Sequence, residues 1–303
     1  QVYAVQEGTY LPLEGWDSFT EAGDYIAGQE AGSYDGYMIN VTGDVTLAES
    51  EAGILSELPD CEVRLNQHVL TVPDHTVIRT DVYDGTIQVV RDGLLTILSS
   101  EDTVCQEIVF RFDDSSTAGG LTLGAPDSEG SIHLRQTAVG RIVDMKVFGD
   151  ADCDADLTIA DNLHIQNGEK TDGTQEKAVF SGNVAAKTLS HLEGWADVNH
   201  LTVSGLSAAK AGSRLSVRGS LSLGDTAVSV SETEVEGLRI DQVQLLDGDQ
   251  DDQVISTGTL RFTGSLTPES VEMNDAVCIG RQRIRRYETE DGIREEDAGQ
   301  FFF

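Results

Sequence analysis

Acidic side chains crowd one stretch, Gly149-Asp150-Ala151-Asp152-Cys153-Asp154-Ala155-Asp156-Leu157-Thr158-Ile159-Ala160-Asp161. Counted from Asp150, side-chain oxygens fall at positions 1, 3, 5, 9 and 12, on Asp150, Asp152, Asp154, Thr158 and Asp161, with the apolar Leu157 at position 8. Alternate carboxylates of this kind can converge on one hard cation, and calcium takes six to eight oxygen ligands. The competing reading is a solvated acidic turn between two strands. A second cluster, Asp247, Asp249, Asp251 and Asp252, has no later oxygens at ligand spacing and is expected to be such a turn. Asp113-Asp114 carries still less.

The first stretch resembles the calcium loop of dockerin and EF-hand modules over about 13 of 303 residues. It departs from that loop at position 6, where Ala155 replaces the turn glycine, and no partner loop follows. The resemblance implies a calcium site on the five named residues and nothing about the rest of the chain.

Other chemistry is sparsely provided for. There is no G-x-S-x-G nucleophile turn, and neither G-x-x-x-x-G-K-[ST] nor G-x-G-x-x-G is present to cradle a phosphate. Six histidines are scattered with no H-x-x-x-H pair for zinc. Cys61, Cys105, Cys153 and Cys278 form no CxxC, so zinc-ribbon and thioredoxin chemistry are not expected, and either disulfides or free buried thiols fit them. Asn40-Val41-Thr42 is an N-glycosylation sequon, which places a candidate glycan on Asn40. A structural or binding protein is therefore expected rather than an enzyme.

Charge narrows the partners. The chain has 53 Asp+Glu against 20 Lys+Arg, a formal net charge of −33 spread along its length. Such a surface repels nucleic-acid phosphates and anionic membranes and favours cations or basic partners. Only five of the cations are lysines, and many acids with few lysines suit a salt-rich setting, where screening relieves the repulsion. No run of 18 apolar residues is present to span a membrane. A chain opening on Gln1 fits removal of a secretory leader, so a secreted, cell-surface location is expected.

The elements that must position these residues are short strands. Apolar–polar–apolar triplets recur, bounded by Gly, Asp, Asn or Ser. They run from Val45-Thr46-Leu47 and Val63-Arg64-Leu65 through Ile87-Gln88-Val89 and Ile132-His133-Leu134 to Leu201-Thr202-Val203 and Leu221-Ser222-Leu223, at steps of roughly 20 residues. That period predicts a parallel β-solenoid (β-helix) of roughly 20-residue coils, with tandem β-sandwiches as the alternative. Residues 14–31 are expected to hold a short helix or a loop.

Both ends differ from the body, residues 41–279. Residues 1–40 are aromatic-rich and read as an N-terminal cap or interface segment. Residues 280–303 gather Arg281, Arg283, Arg285, Arg286 and Arg294 and close on Phe301, Phe302 and Phe303, apolar surface that is costly to leave in water. Together these features predict a secreted structural subunit of a filament, sheath or surface layer that polymerises with itself through its ends. The alternatives are an adhesin or phage-fibre module binding glycan through Trp16 and Trp195, and a polysaccharide-active β-helix enzyme.

Overall fold

The computed structural model describes residues 1–208 except 30–32, 59, 91, 100–101, 113–118, 127–129, 171–172 and 194, together with the backbone of a few later strands. The fold is all-β, with one α-helix among the described residues. The chain forms two compact units, Gln1–Asp156 and Leu157–Phe303.

In the first unit, strands pair in parallel with strands about 17 to 30 residues further along, so residues of like character superpose. Three columns result. In the first, Ile39, Val63, Val82, Cys105, Leu134 and Cys153 follow one another in direct register. In the second, Val45, Leu70, Ile87, Phe110 and Val139 do so. The third carries Ile78, Ile97, Leu123 and Val147. Every residue of the third set is fully buried, as are Leu70, Ile87 and Phe110 of the second. The strand period of two sets this: in Cys61–Arg64 and Ser131–Arg135, buried and partly exposed residues alternate.

Between the first and second columns the chain turns on residues in the left-handed region. Asn66 and Gln67 (φ 50° and 66°), Asp84 (54°), Glu107 (57°) and Gln136 (53°) occupy this corner. A single residue of positive φ lets one strand serve two columns, as in Asp81–Val89 and Asp102–Phe112. At the end of the third column Gly124 (φ 79°) has no alternative, since a Cβ there would lie 2.1 Å from the Phe148 carbonyl oxygen. Aspartates hold the turns by accepting backbone N–H bonds. Asp44 takes Val69 N (2.9 Å), Asp74 takes His75 N and Leu94 N (both 2.8 Å), and Asp81 takes Val104 N (2.8 Å).

The chain begins with a reversal. Val2–Gln6 and Thr9–Pro12 form a hairpin around Glu7 (φ 49°) and Gly8 (φ 73°), the two positive dihedrals of a type I′ turn. Val2–Gln6 then lies antiparallel on Gly36–Asn40, the strand that opens the first column. The helix Phe19–Ala27 falls within the stretch expected to hold one. Ser18 caps it by accepting Glu21 N at 3.1 Å, and Phe19, Ala22, Gly23 and Ile26 are its buried face. A 3₁₀ turn, Ile54–Ser56, takes a strand's place before the third column: Val77 N and Arg79 N donate to Ala52 O and Leu55 O.

The second unit repeats the pattern with longer strands, Leu157–Gln166, Lys177–Glu193, Trp195–Ala208 and Ser213–Leu223. Ile159, Ala186, Val203 and Leu223 superpose, as do Phe180, Val198 and Val217. Here the ladder slips at the corners, between Phe180 and Asn183 and between Val198 and His200, so a bulge takes the place of the left-handed residue. The later strands Val235–Ile240, Val243–Leu245 and Val271–Met273 continue the parallel pairing.

The triplets expected from sequence are strands, but they belong to different columns. Val63–Leu65 and Ile132–Leu134 lie in the first column, and Val45–Leu47 and Ile87–Val89 in the second. Only some neighbours in the series, such as Leu201–Val203 and Leu221–Leu223, pair directly. Between successive strands of one column the chain carries strands of the other columns as well, so a comb laid over the triplets fits any of them.

Phe110 is the largest side chain in the second column and is fully buried. Phe110→Ala should cost about 3–5 kcal/mol, read as a lower midpoint in urea unfolding. Asp74→Ala, which hands two solvent-exposed N–H groups back to water, should cost about 0.5–1.5 kcal/mol. Asp74→Asn, which keeps an oxygen in place, should cost less.

Candidate functional site

The outer face of the first column carries a connected set of polar and aromatic side chains. Because its strands are in register, side chains form rows along the stack. One row is Arg64, Tyr83, Gln106 and Arg135; beside it, Glu62 precedes Asp81 and Val104 precedes His133 and Asp152. Successive members are one strand spacing apart, about 4.8 Å.

Tyr10, from the hairpin, reaches across to this face. Its hydroxyl donates to Glu62 Oε1 (3.0 Å), Arg64 Nη2 donates back to the Tyr10 hydroxyl (3.1 Å), and Arg64 Nε donates to Glu62 Oε1 (3.0 Å). The Arg64 guanidinium lies 5.4 Å from the Tyr10 ring centre and 5.7 Å from that of Tyr83, a cation held between two aromatic faces. Tyr83 donates to Asp81 Oδ2 (3.1 Å). Burial, then the Glu62 hydrogen bond, raises the Tyr10 pKa; burial and the Asp81 charge raise that of Tyr83. Burial works to lower the Arg64 pKa, but the Glu62 hydrogen bond and charge outweigh it, and the net direction is up. All three groups are therefore fixed in their protonated forms at neutral pH. They make a latch, with no proton to exchange and no nucleophile among them.

Further along the same face, His133 Nδ1 and Asp152 Oδ2 are 2.6 Å apart across one register step. This is the use the structure makes of Asp152. Asp154 accepts Gln136 N (2.5 Å) and Thr137 N (3.2 Å), again closing a corner. In the second unit, Asp161 pairs with Lys187 Nζ at 3.2 Å, and Thr158 is an exposed strand residue. Asp150 lies in the turn before Ala151–Cys153. Among the described residues no group of three or more His, Cys, Asp or Glu is arranged to hold a metal ion.

Asn40 ends the strand Gly36–Asn40, and its Oδ1 accepts Asn66 Nδ2 at 2.9 Å. It lines a 260 Å³ cavity with Trp16 and Phe19, on one side of the helix. A 390 Å³ cavity lined by Thr20, Asp24, Glu51 and Glu57 lies between the helix and the 3₁₀ turns Glu49–Glu51 and Ile54–Ser56. Trp16 stacks obliquely on Tyr25 with ring centres 4.6 Å apart, which occupies one of its faces. Arg285 and Arg286 lie on Ile284–Thr289, which pairs antiparallel with Gly292–Glu296, the strand that carries Arg294. Phe301 and Phe302 form a strand parallel to Leu260–Arg261 of the same chain. Arg281, Arg283, Phe303, Cys278 and both weaker Asp clusters lie outside the described residues.

Cys61, Cys105 and Cys153 are free and buried. Cys105 and Cys153 point into the same column with Leu134 between them. Two strand spacings separate them, roughly 10 Å, beyond the Cα separation a disulfide tolerates. Burial is the first cause that lifts all three thiols to a pKa of about 12. They are packing groups, and of the two readings open in the sequence the free-thiol one holds for these three.

Compared with family models, with characterised proteins and with solved structures, the chain matches none.

Arg64→Ala removes both ring contacts and the Glu62 pair. It should cost about 1 kcal/mol and speed hydrogen exchange across residues 2–12, and Arg64→Lys should restore only part, because a point charge cannot lie flat between two rings. The raised thiols also fix a pH trend. Above pH 9 the unfolded chain releases thiol protons that the folded chain keeps, so stability is complete below that pH and falls as pH rises toward 12. Urea unfolding at pH 8, 9.5 and 11 measures it, and replacing the three cysteines by alanine should flatten the slope.

Proposed function

We propose that the chain is a parallel β-solenoid of roughly 20-residue coils and serves as a secreted, non-catalytic structural subunit of an extracellular filament, sheath or surface layer. The observation that carries the reading is the direct register of Ile39, Val63, Val82, Cys105, Leu134 and Cys153, each one turn of chain after the last. A ladder built this way is stabilised by its neighbours rather than by a closed core, so its ends are natural places for association. Two features support association through the ends. The edge strand Thr9–Pro12 is exposed along its length and displays Tyr10 and Leu11. The C-terminal segment brings Arg285, Arg286 and Arg294 to one hairpin in a chain of net charge −33. Contact between unlike ends is heterologous and does not close, which yields a linear polymer.

Deletion of residues 287–303 tests the reading. Negative-stain microscopy of the full chain should show fibres or sheets, and the truncated chain should show discrete particles with an unchanged circular-dichroism spectrum. Discrete particles from both chains at every salt concentration, or fibres that survive the deletion, would overturn it.

A further inference from the structure

We infer that ionic strength is the switch that holds this fold together, because the parallel register places carboxylate on carboxylate from one coil to the next. Glu62 is in direct register with Asp81. Asp84 and Glu107 occupy the same corner, flanked by the paired positions Tyr83–Gln106 and Gly85–Ile108. Both are solvent-accessible and both turn in the left-handed region, which fixes their backbones one strand spacing apart, about 4.8 Å.

An unfolded chain can move such charges apart, whereas the ladder cannot. Like charges directly opposite in a sheet destabilise it. With 53 acids and 20 cations, five of them lysine, the protein has few internal counter-charges to supply. Arg64, Lys177 and Lys187 pair with Glu62, Asp197 and Asp161, and His68, His75 and His133 with Asp44, Asp74 and Asp152, carboxylates other than Asp84 or Glu107. Dissolved cations must do the rest. The screening length falls from about 10 Å at 0.1 M salt to about 3 Å at 1 M, from longer than the coil spacing to shorter than it. Repulsion between successive coils is thus present in dilute buffer and largely removed in concentrated salt.

The corner itself supplies a clean probe. The coils before and after carry Gln67 and Gln136 at this position, also with positive φ, so an uncharged amide is compatible with the backbone there. The double variant Asp84→Asn, Glu107→Gln removes charge without altering the turn.

Thermal unfolding of the full chain at low concentration is followed by circular dichroism from 0.05 to 2 M NaCl, beside sucrose at matched osmolality and CaCl2 at matched ionic strength. The melting temperature should rise by roughly 10 °C or more over the salt range, and sucrose should give a far smaller rise. A chain already unfolded in dilute buffer that folds on adding salt also supports the inference. The double variant should melt higher than the parent at 0.05 M and converge with it at 2 M. A melting temperature that is flat or falls with NaCl overturns the inference. So does one that responds to millimolar CaCl2 alone, which marks a specific ion site, or a double variant that shifts equally at all salt concentrations. Melting of the dilute chain is unimolecular, so this result stands or falls separately from the assembly reading.

Discussion

A parallel ladder in which each strand pairs in register with the next strand of its column forces like onto like. In an antiparallel sheet of hairpins, opposite residues come from different sequence patterns and can be chosen to complement each other. In the parallel columns here the partner of each residue is its counterpart on the next strand of the column. Inside, this is an advantage: Leu70, Ile87 and Phe110, all fully buried, pile into a continuous apolar file. Even Cys105 and Cys153 are accepted as small hydrophobes, which is why they stay protonated and apart. Outside, the same rule sets Glu62 upon Asp81. The interior gain and the exterior repulsion are two results of one register.

The acidic composition has a second structural role. Corners leave N–H groups pointing out of the ladder, where a nearby carboxylate can accept them and hold the turn. Short carboxylates are well placed to accept them, and Asp44, Asp74, Asp81 and Asp154 each do so. This places the motif-like stretch at residues 150–161 in a different light. Asp152 faces His133 on the preceding strand of the column, and Asp154 binds the Gln136 and Thr137 amides in the corner that follows that strand. From Ala151 to Ile159 buried and accessible residues alternate, and Asp152, Asp154 and Asp156 take accessible positions, the same every-second-residue spacing that a calcium loop uses for its ligands.

Much of the architecture was legible because the ladder writes itself into the sequence as repeated triplets. The strand class could be read. Column membership could not, since Val63–Leu65 and Ile87–Val89 have the same pattern but lie on different faces. The helix at Phe19–Ala27 was within reach through Ser18 and the glycines that bound it. The N-terminal reversal was written only in Glu7-Gly8, a weak turn signal between two short strands. The Tyr10–Arg64–Tyr83 latch was illegible, because its members lie more than 50 positions apart between Tyr10 and Arg64 and meet only through the register. Nothing local to any of the three residues marks it.

The reversal gives the first column a direction. Every later pairing in that column is parallel, so each strand offers its successor the same edge it received. Val2–Gln6 breaks this by lying antiparallel on Gly36–Asn40, and the hairpin then turns its outer strand, Thr9–Pro12, to solvent. That strand is short and ends in Pro12, which has no N–H to donate, a known way of blunting an edge. A partner arriving here would find an antiparallel template four residues long, flanked by Tyr10 and Leu11, rather than a continuation of the parallel ladder. Simple end-to-end continuation of the stack is therefore disfavoured at this edge. Under the assembly reading, side-chain contacts on Tyr10 and Leu11 must supply what the interrupted ladder does not, and the Arg64 latch, by fixing where Tyr10 lies, sets the geometry of that contact.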